Sequence, residues 1–157
     1  MTVLTIDLGS TIGWSVTQWG ITTSGTVKFN RVTGRKTIAD EHEGIVYERF
    51  VHWLKETFYL NNPDRIIFEE PMGNFKSAAA RNIIVGMRGV LMAYASHFSI
   101  PIDGIPQTKR KKFATGKGNA KKEDMLSACL EKIGPVVNHN EADALWLAEW
   151  AKETYGC

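Results

Sequence analysis

The chain predicts a mixed-sheet α/β domain. Three observations carry this: β-prone runs joined by tight turns near the start, a long amphipathic helical run, and a short apolar strand between prolines that further helical runs follow. Residues 3–6 read as the first strand, "GWSVTQW" (13–19) as the second and "SGTVKFN" (24–30) as the third. Gly20 and Thr22-Thr23-Ser24-Gly25 supply turns, and connections this short make an antiparallel meander. From Ala39 to Leu60, Ile45, Phe50, Val51, Leu54 and Phe58 recur at helical spacing until Asn61-Asn62-Pro63 ends the run. "RIIFEE" (65–70), between Pro63 and Pro71, is apolar enough to be buried on both faces, as a central parallel strand is. A second helix is expected within 77–98, a brief strand around 100–104, a basic loop, a third helix from about 121 to 133 and a fourth from about 140 to 154. The expected sheet has five strands, the β1-β2-β3 meander plus two parallel strands, flanked by helices.

At 157 residues, 43% hydrophobic and 23% charged, the chain has the size and core content of a single domain spanning 1–157. No internal repeat or low-complexity tract interrupts it. A net charge of +2 is too small to argue for nucleic acid, so the placement of charge matters more than its sum. The two cysteines, Cys129 and Cys157, fit neither a disulfide framework nor a metal spacing. No cationic leader and no apolar run of about 18 residues occurs, which leads us to expect a soluble intracellular protein without a membrane partner.

The opening stretch, "TVLTIDLGSTIGWSV", has two functional readings. Asp7 followed by Gly9-Ser10-Thr11 is how an actin-like or sugar-kinase ATPase presents its phosphate turn, and how a ribonuclease-H-like nuclease presents its first metal-binding acid. Two more acids stand at telling places: Glu69, with Glu70 beside it, at the end of the fourth strand, and Asp143 near the start of the last helix. Hard divalent cations take oxygen ligands, and acids at adjoining strand ends supply them. Each acid also has a plain structural reading. An Asp before Gly closes turns, a strand-end Glu forms salt bridges, and acids in the first turn after an Asn140 N-cap complement the helix dipole. An acid that directly follows a buried apolar strand is costly unless paired or bound to metal. Alternation puts Glu69 and Glu70 on opposite faces, so only one of them shares a site with Asp7, and Glu69 is the choice.

The segment "TKRKKFATGKGNAKK" (108–122) carries Lys109, Arg110, Lys111, Lys112, Lys117, Lys121 and Lys122, seven of the 19 basic residues, with no acid among them. Such a run is ordinarily a solvated face. Beside an acidic site it becomes a means of holding a polyanion against repulsion, and Gly116 and Gly118 let backbone approach a phosphate. Trp14, Trp19, Trp53, Trp146 and Trp150 fit core or dimer-interface roles better than base stacking. His139, beside the acids, is an outside candidate for proton shuttling or metal binding.

"TIDLGSTIGWSV", "PDRIIFEEP", "VGMRGVLMAYA", "FATGKGNAKKEDM" and "NEADALWLA", in this order and at these separations, resemble the RuvC-type Holliday-junction resolvases (crossover junction endodeoxyribonucleases), the bacteriophage-like branch above all. The resemblance covers nearly the whole chain. It implies a ribonuclease-H-like fold and a homodimer that cuts opposed strands of a four-way DNA junction with Mg²⁺ or Mn²⁺, two ions per site. The setting it implies is the cytoplasm of a bacterial cell or phage-infected host. Carried over by position, the metal-binding acids fall on Asp7, Glu69 and Asp143. A further family acid falls on Asn140, a departure for which Glu141 is the neighbouring substitute. The family's catalytic lysines fall on Lys109 and, with a better match, Lys122. An apolar side chain after the strand-4 acid, thought to wedge into the junction, falls on Phe75, near Met72. Filling a local apolar gap is an equal account of Phe75.

An ATPase of the competing kind pairs two copies of this fold around a nucleotide and needs a second phosphate loop. The chain has neither the length nor that loop, so no nucleotide cofactor is expected. Two other readings stay open: a nuclease of the same fold acting on flaps, forks or RNA processing intermediates, and a catalytically weak junction-binding protein.

Overall fold

The computed structural model describes residues 1–29, 44–73, 75 and 77–157. Its elements run β1 (Thr2–Asp7), β2 (Thr11–Gln18), β3 (Ile21–Lys28), α1 (Gly44–Asn61), β4 (Arg65–Glu70), α2 (Ala78–His97), β5 (Ile102–Pro106), α3 (Gln107–Thr115), α4 (Lys122–Lys132) and α5 (His139–Tyr155). The five strands form one sheet in the order β3-β2-β1-β4-β5. β1-β2-β3 is antiparallel, whereas β1–β4 and β4–β5 are parallel. This is the expected mixed sheet. The parallel pairs need crossovers, which α1 and α2 supply.

Alternation along the strands splits the core in two. Leu4 and Ile6 of β1, Ile12 and Val16 of β2, and Ile66 and Phe68 of β4 pack with Phe50 and Leu54 of α1 and Met87 and Leu91 of α2. Those helical residues recur every fourth position, which makes one stripe on each helix. Val3, Ile67 and Ile105 lie on the other face, against Leu147, Trp150 and Ala151 of α5. A further cluster joins α3, α4 and α5 through Ala114, Met125, Cys129, Leu145 and Trp146. Burial pushes the Cys129 thiol up to about 11, so it is a core residue and not a nucleophile. Each fully buried Phe or Leu contributes about 1.5–3 kcal/mol.

The structure departs from expectation in three places. First, Thr22-Thr23-Ser24-Gly25 is strand, paired with residues 14–17, and not turn. The hairpin closes on two residues, Trp19 (φ 51°) and Gly20 (φ 79°), the positive-φ pair that matches strand twist. Trp19 is therefore at an exposed tip, 83% accessible, which rules out the core half of its expected core-or-interface role. Second, the basic loop contains a helix, α3, closed by Gly116 in the left-handed conformation with its N–H on the Lys112 carbonyl. The run of lysines hid it because a helix with so few apolar residues shows no stripe. Third, Asn138 and not Asn140 caps α5: its side chain accepts from the Asn140 and Glu141 N–H groups. Residues 39–43 of the first expected helix and Asn30 of the third expected strand lie outside the described residues.

Candidate active site

β1 and β4 run parallel in register, with Ile6 opposite Phe68, so Asp7 and Glu69 follow at the same end of adjacent strands. Parity puts both on the face that α5 covers, together with Thr5 and Ile67. Glu70 takes the opposite face, where Arg88 of α2 pairs with it at 2.8 Å.

α5 reaches this end of the sheet because β2 lets it. Gly13, the register partner of Asp7, lies so close beneath the helix that a Cβ there would stand 1.8 Å from the Asn140 carbonyl oxygen. Any side chain at position 13 would push the start of α5 away from Asp7. One turn along, the Thr5 hydroxyl donates to the Ala144 carbonyl at 2.9 Å and shares a 2.6 Å hydrogen bond with Ser15, fixing the helix over β1 and β2. Ala142, Ala144 and Ala148 are fully buried, and their small size permits the close approach.

Asp143, carried in by α5, is joined to Glu69 through a cation. Arg110 of α3 is 1% exposed and donates Nε to Glu69 and Nη1 to Asp143. The second Glu69 oxygen accepts from Gln107 Nε2 at 3.1 Å. Asp7 makes no hydrogen bond or ion pair with any described residue. It borders an open cleft of about 460 Å³ together with Phe75, Lys122, His139 and Asn140. Burial, then repulsion from Glu69 and Asp143, holds the Asp7 carboxyl well above the usual carboxylate range, while Arg110 and Lys122 pull it back. Glu69 is also raised: burial and Asp143 outweigh the opposing pull of Arg110.

Two carboxylates thus close on one guanidinium, and Asp7 stands beside them as the acid without an ion-pair partner among the described residues. That donor set suits a hard divalent cation, which takes carboxylate oxygens and keeps waters or phosphate oxygens in its other positions. As arranged, no three Asp, Glu, His or Cys side chains among the described residues enclose one metal position. Arg110 stands between two of the acids.

Several expected site residues lie elsewhere. The Glu141 carboxylate, expected beside Asp143, is buried away from the acids, accepting from Ser24 Oγ at 2.6 Å and the Val137 N–H at 2.8 Å. It braces the entry of α5 against β3. Arg110, expected on a DNA-binding surface, is an interior residue. Lys109 is exposed and lies over the Trp150 ring of α5, 4.8 Å from its centroid. Lys112, Lys117, Lys121 and Lys122 are exposed and Lys111 is half-buried. Gly116 caps α3, which accounts for it without a phosphate. Phe75 is half-buried at the cleft wall, and Lys122 Nζ approaches His139 Nε2 at 3.3 Å on its rim.

Sequence reasoning missed Ser24 and Gly13 and set Arg110 on the surface. A signal for Arg110 existed: Pro106 and Gly116 bracket a helix-length segment in which Arg110 and Ala114 are four apart on one face.

Solved structures share this fold. Thermus thermophilus RuvC in complex with a Holliday junction substrate superposes with a TM-score of 0.69 at 21% identity, covering 94% of this chain and 90% of that one. A second Thermus thermophilus RuvC structure gives 0.65 at 22% identity over 94% and 91% of the two chains. The yeast mitochondrial Holliday junction resolvase gives 0.62 at 12% identity over 93% and 75%. No protein-family model and no curated protein matches the chain. At these identities the likeness is one of fold: the chain has the α/β, ribonuclease-H-like fold of the RuvC-type resolvases. None of its described helices is long and apolar enough to cross a membrane.

Proposed function

We propose that this protein is a divalent-metal-dependent, structure-selective DNA endonuclease that resolves four-way junctions by phosphodiester hydrolysis, working as a homodimer. The observation that carries the reading is the convergence of Asp7, Glu69 and Asp143 at one sheet end, on a fold shared with junction resolvases. Asp7, Glu69 and Asp143 would hold Mg²⁺ or Mn²⁺, with the Asn140 amide as a neutral oxygen donor. Ions held there would supply activation of a water and stabilisation of the leaving oxygen. Lys122, exposed on the cleft rim, offsets charge on the phosphate, and His139 keeps its ammonium near the cleft. Lys112, Lys117 and Lys121 supply an exposed cationic surface for the phosphodiester backbone. Phe75 gives the cleft an apolar wall against which an unstacked base or sugar fits. A four-way junction has two equivalent strands to cut, and a two-fold dimer places one site on each.

A second reading, a junction-binding protein that cuts weakly, draws support from Arg110 between two acids and from Asn140 in place of a carboxylate. Labelled four-way, flap and linear duplex DNA, incubated with the protein in Mg²⁺ or EDTA, separates the possibilities. Symmetric cutting of the four-way substrate in Mg²⁺ alone, lost in Asp7→Asn, is expected. Tight junction binding without cutting selects the second reading, and equal cutting of flaps demotes the resolvase assignment.

A further inference from the structure

The most unusual charged group in the molecule is Arg110. The lysines beside it on α3 are exposed or half-buried, with Lys109 lying on Trp150, yet its own side chain is 1% exposed. A guanidinium is costly to bury unless its donors are met, and here Nε and Nη1 are both spent on carboxylates. Those two carboxylates, from β4 and α5, are the pair that the nuclease reading assigns to metal. Asp7, the third acid, is left with only longer-range attraction to Arg110 and Lys122.

We propose that Arg110 is a resident counter-cation for Glu69 and Asp143, and that a divalent ion binds by displacing its guanidinium from at least one of them. The inference rests on the metal-dependent nuclease reading and names a residue that regulates the same site. The physical argument is exclusion. A hard cation needs the carboxylate oxygens at about 2.0–2.6 Å, the positions the N–H groups of Arg110 now hold, and a dipositive ion beside an undisplaced guanidinium would meet strong repulsion. Arg110 acts through the two acids and is a positioning residue. In the metal-free protein it keeps β4, α3 and α5 together against the mutual repulsion of the acids. When metal enters, the exchange of one cation for another costs affinity and leaves a guanidinium free beside the cleft, where its fork fits a phosphate. Metal binding is thereby weakened in the absence of an anion that can receive Arg110, and strengthened by DNA.

The test is metal binding itself. Calorimetric titration with Mn²⁺ of wild type, Arg110→Met and Arg110→Lys is expected to show Arg110→Met binding about tenfold or more tightly than wild type, because the competing cation is gone. Its metal-free Tm should fall and should recover with Mn²⁺ by more degrees than the wild type gains. In ¹⁵N-labelled wild type, the Arg110 Nε–H resonance should move as Mg²⁺ saturates the site, a measurement that does not depend on a variant folding. Unchanged or weaker Mn²⁺ binding in a folded Arg110→Met, or an Arg110 resonance unmoved at saturating Mg²⁺, overturns the inference alone if wild type still cuts junctions in Mg²⁺. Wild type that neither binds Mn²⁺ nor cuts overturns the nuclease reading, and the inference falls with it.

Discussion

Glu69 and Glu70 are adjacent residues at the end of one strand, each paired with an arginine, and the two pairs differ in almost everything else. Glu70 and Arg88 meet at the edge of the α2 face, about one-third exposed on both sides, one carboxylate to one guanidinium. Room for them comes from Gly104, where a Cβ would stand 2.2 Å from the Glu70 carboxylate. Glu69 and Arg110 are almost fully enclosed on the α5 face, and the arginine there serves Asp143 as well, with Asp7 beyond. The first arrangement is neutral and complete. The second gathers three acids around a single arginine in a desolvated place, the kind of cluster that marks sites where a cation or a reaction makes use of it.

That contrast is testable by breaking each side. Asp7→Asn, Glu69→Gln and Asp143→Asn are expected to reduce Mg²⁺-dependent cutting of four-way DNA by more than about 100-fold, since loss of even an outer-shell partner costs 10–100-fold. Glu70→Gln should leave cutting within about twofold. Comparable losses on both faces would remove the distinction.

Gly13→Val attacks the same face from its backbone. Forcing a side chain against the Asn140 carbonyl should cost about 3 kcal/mol in denaturant unfolding and lower cutting as the start of α5 moves away from Asp7. Wild-type stability in Gly13→Val would show that α5 is not held this close.

Glu141→Gln weakens two partly buried hydrogen bonds and should destabilise by about 1–2 kcal/mol while keeping Mn²⁺ affinity. If the fold persists and the affinity falls, Glu141 is a ligand after all.

Asp7 also sets a pH dependence. Its folded pKa lies above the unfolded value, so protonated Asp7 favours the folded state. That contribution is fully present below the unfolded pKa and lost as pH rises through the raised folded one. In EDTA, Asp7→Asn should therefore raise Tm by roughly 2–4 °C at about pH 8, and the gain should shrink toward about pH 4. A gain that grows on acidification would reverse the sign assigned to Asp7. Arg88→Ala should cost less than about 1 kcal/mol in denaturant unfolding and leave cutting unchanged.

Much of this was legible in the chain. Apolar runs and their periods gave the five strands and four of the five helices, because burial of one face is a local pattern. Period-two alternation by itself separates Glu69 from Glu70. What failed had a weak local signature or none. Thr22–Gly25 reads as turn until the positive φ of Trp19 and Gly20 closes the hairpin one step earlier. Arg110 reads as one more solvated cation until α3 turns it inward.

The sequence by itself determined which acids stand at strand ends, which face each one takes and how many elements carry them, since these follow from the spacing of residues along a strand. Only the tertiary structure decided who meets whom. It crossed α5 over Gly13, sent Glu141 to Ser24 and closed Arg110 on Glu69 and Asp143. Those contacts join residues 33 to 128 positions apart, and they depend on the approach of whole elements, fixed by packing volume and charge rather than by any period in the chain.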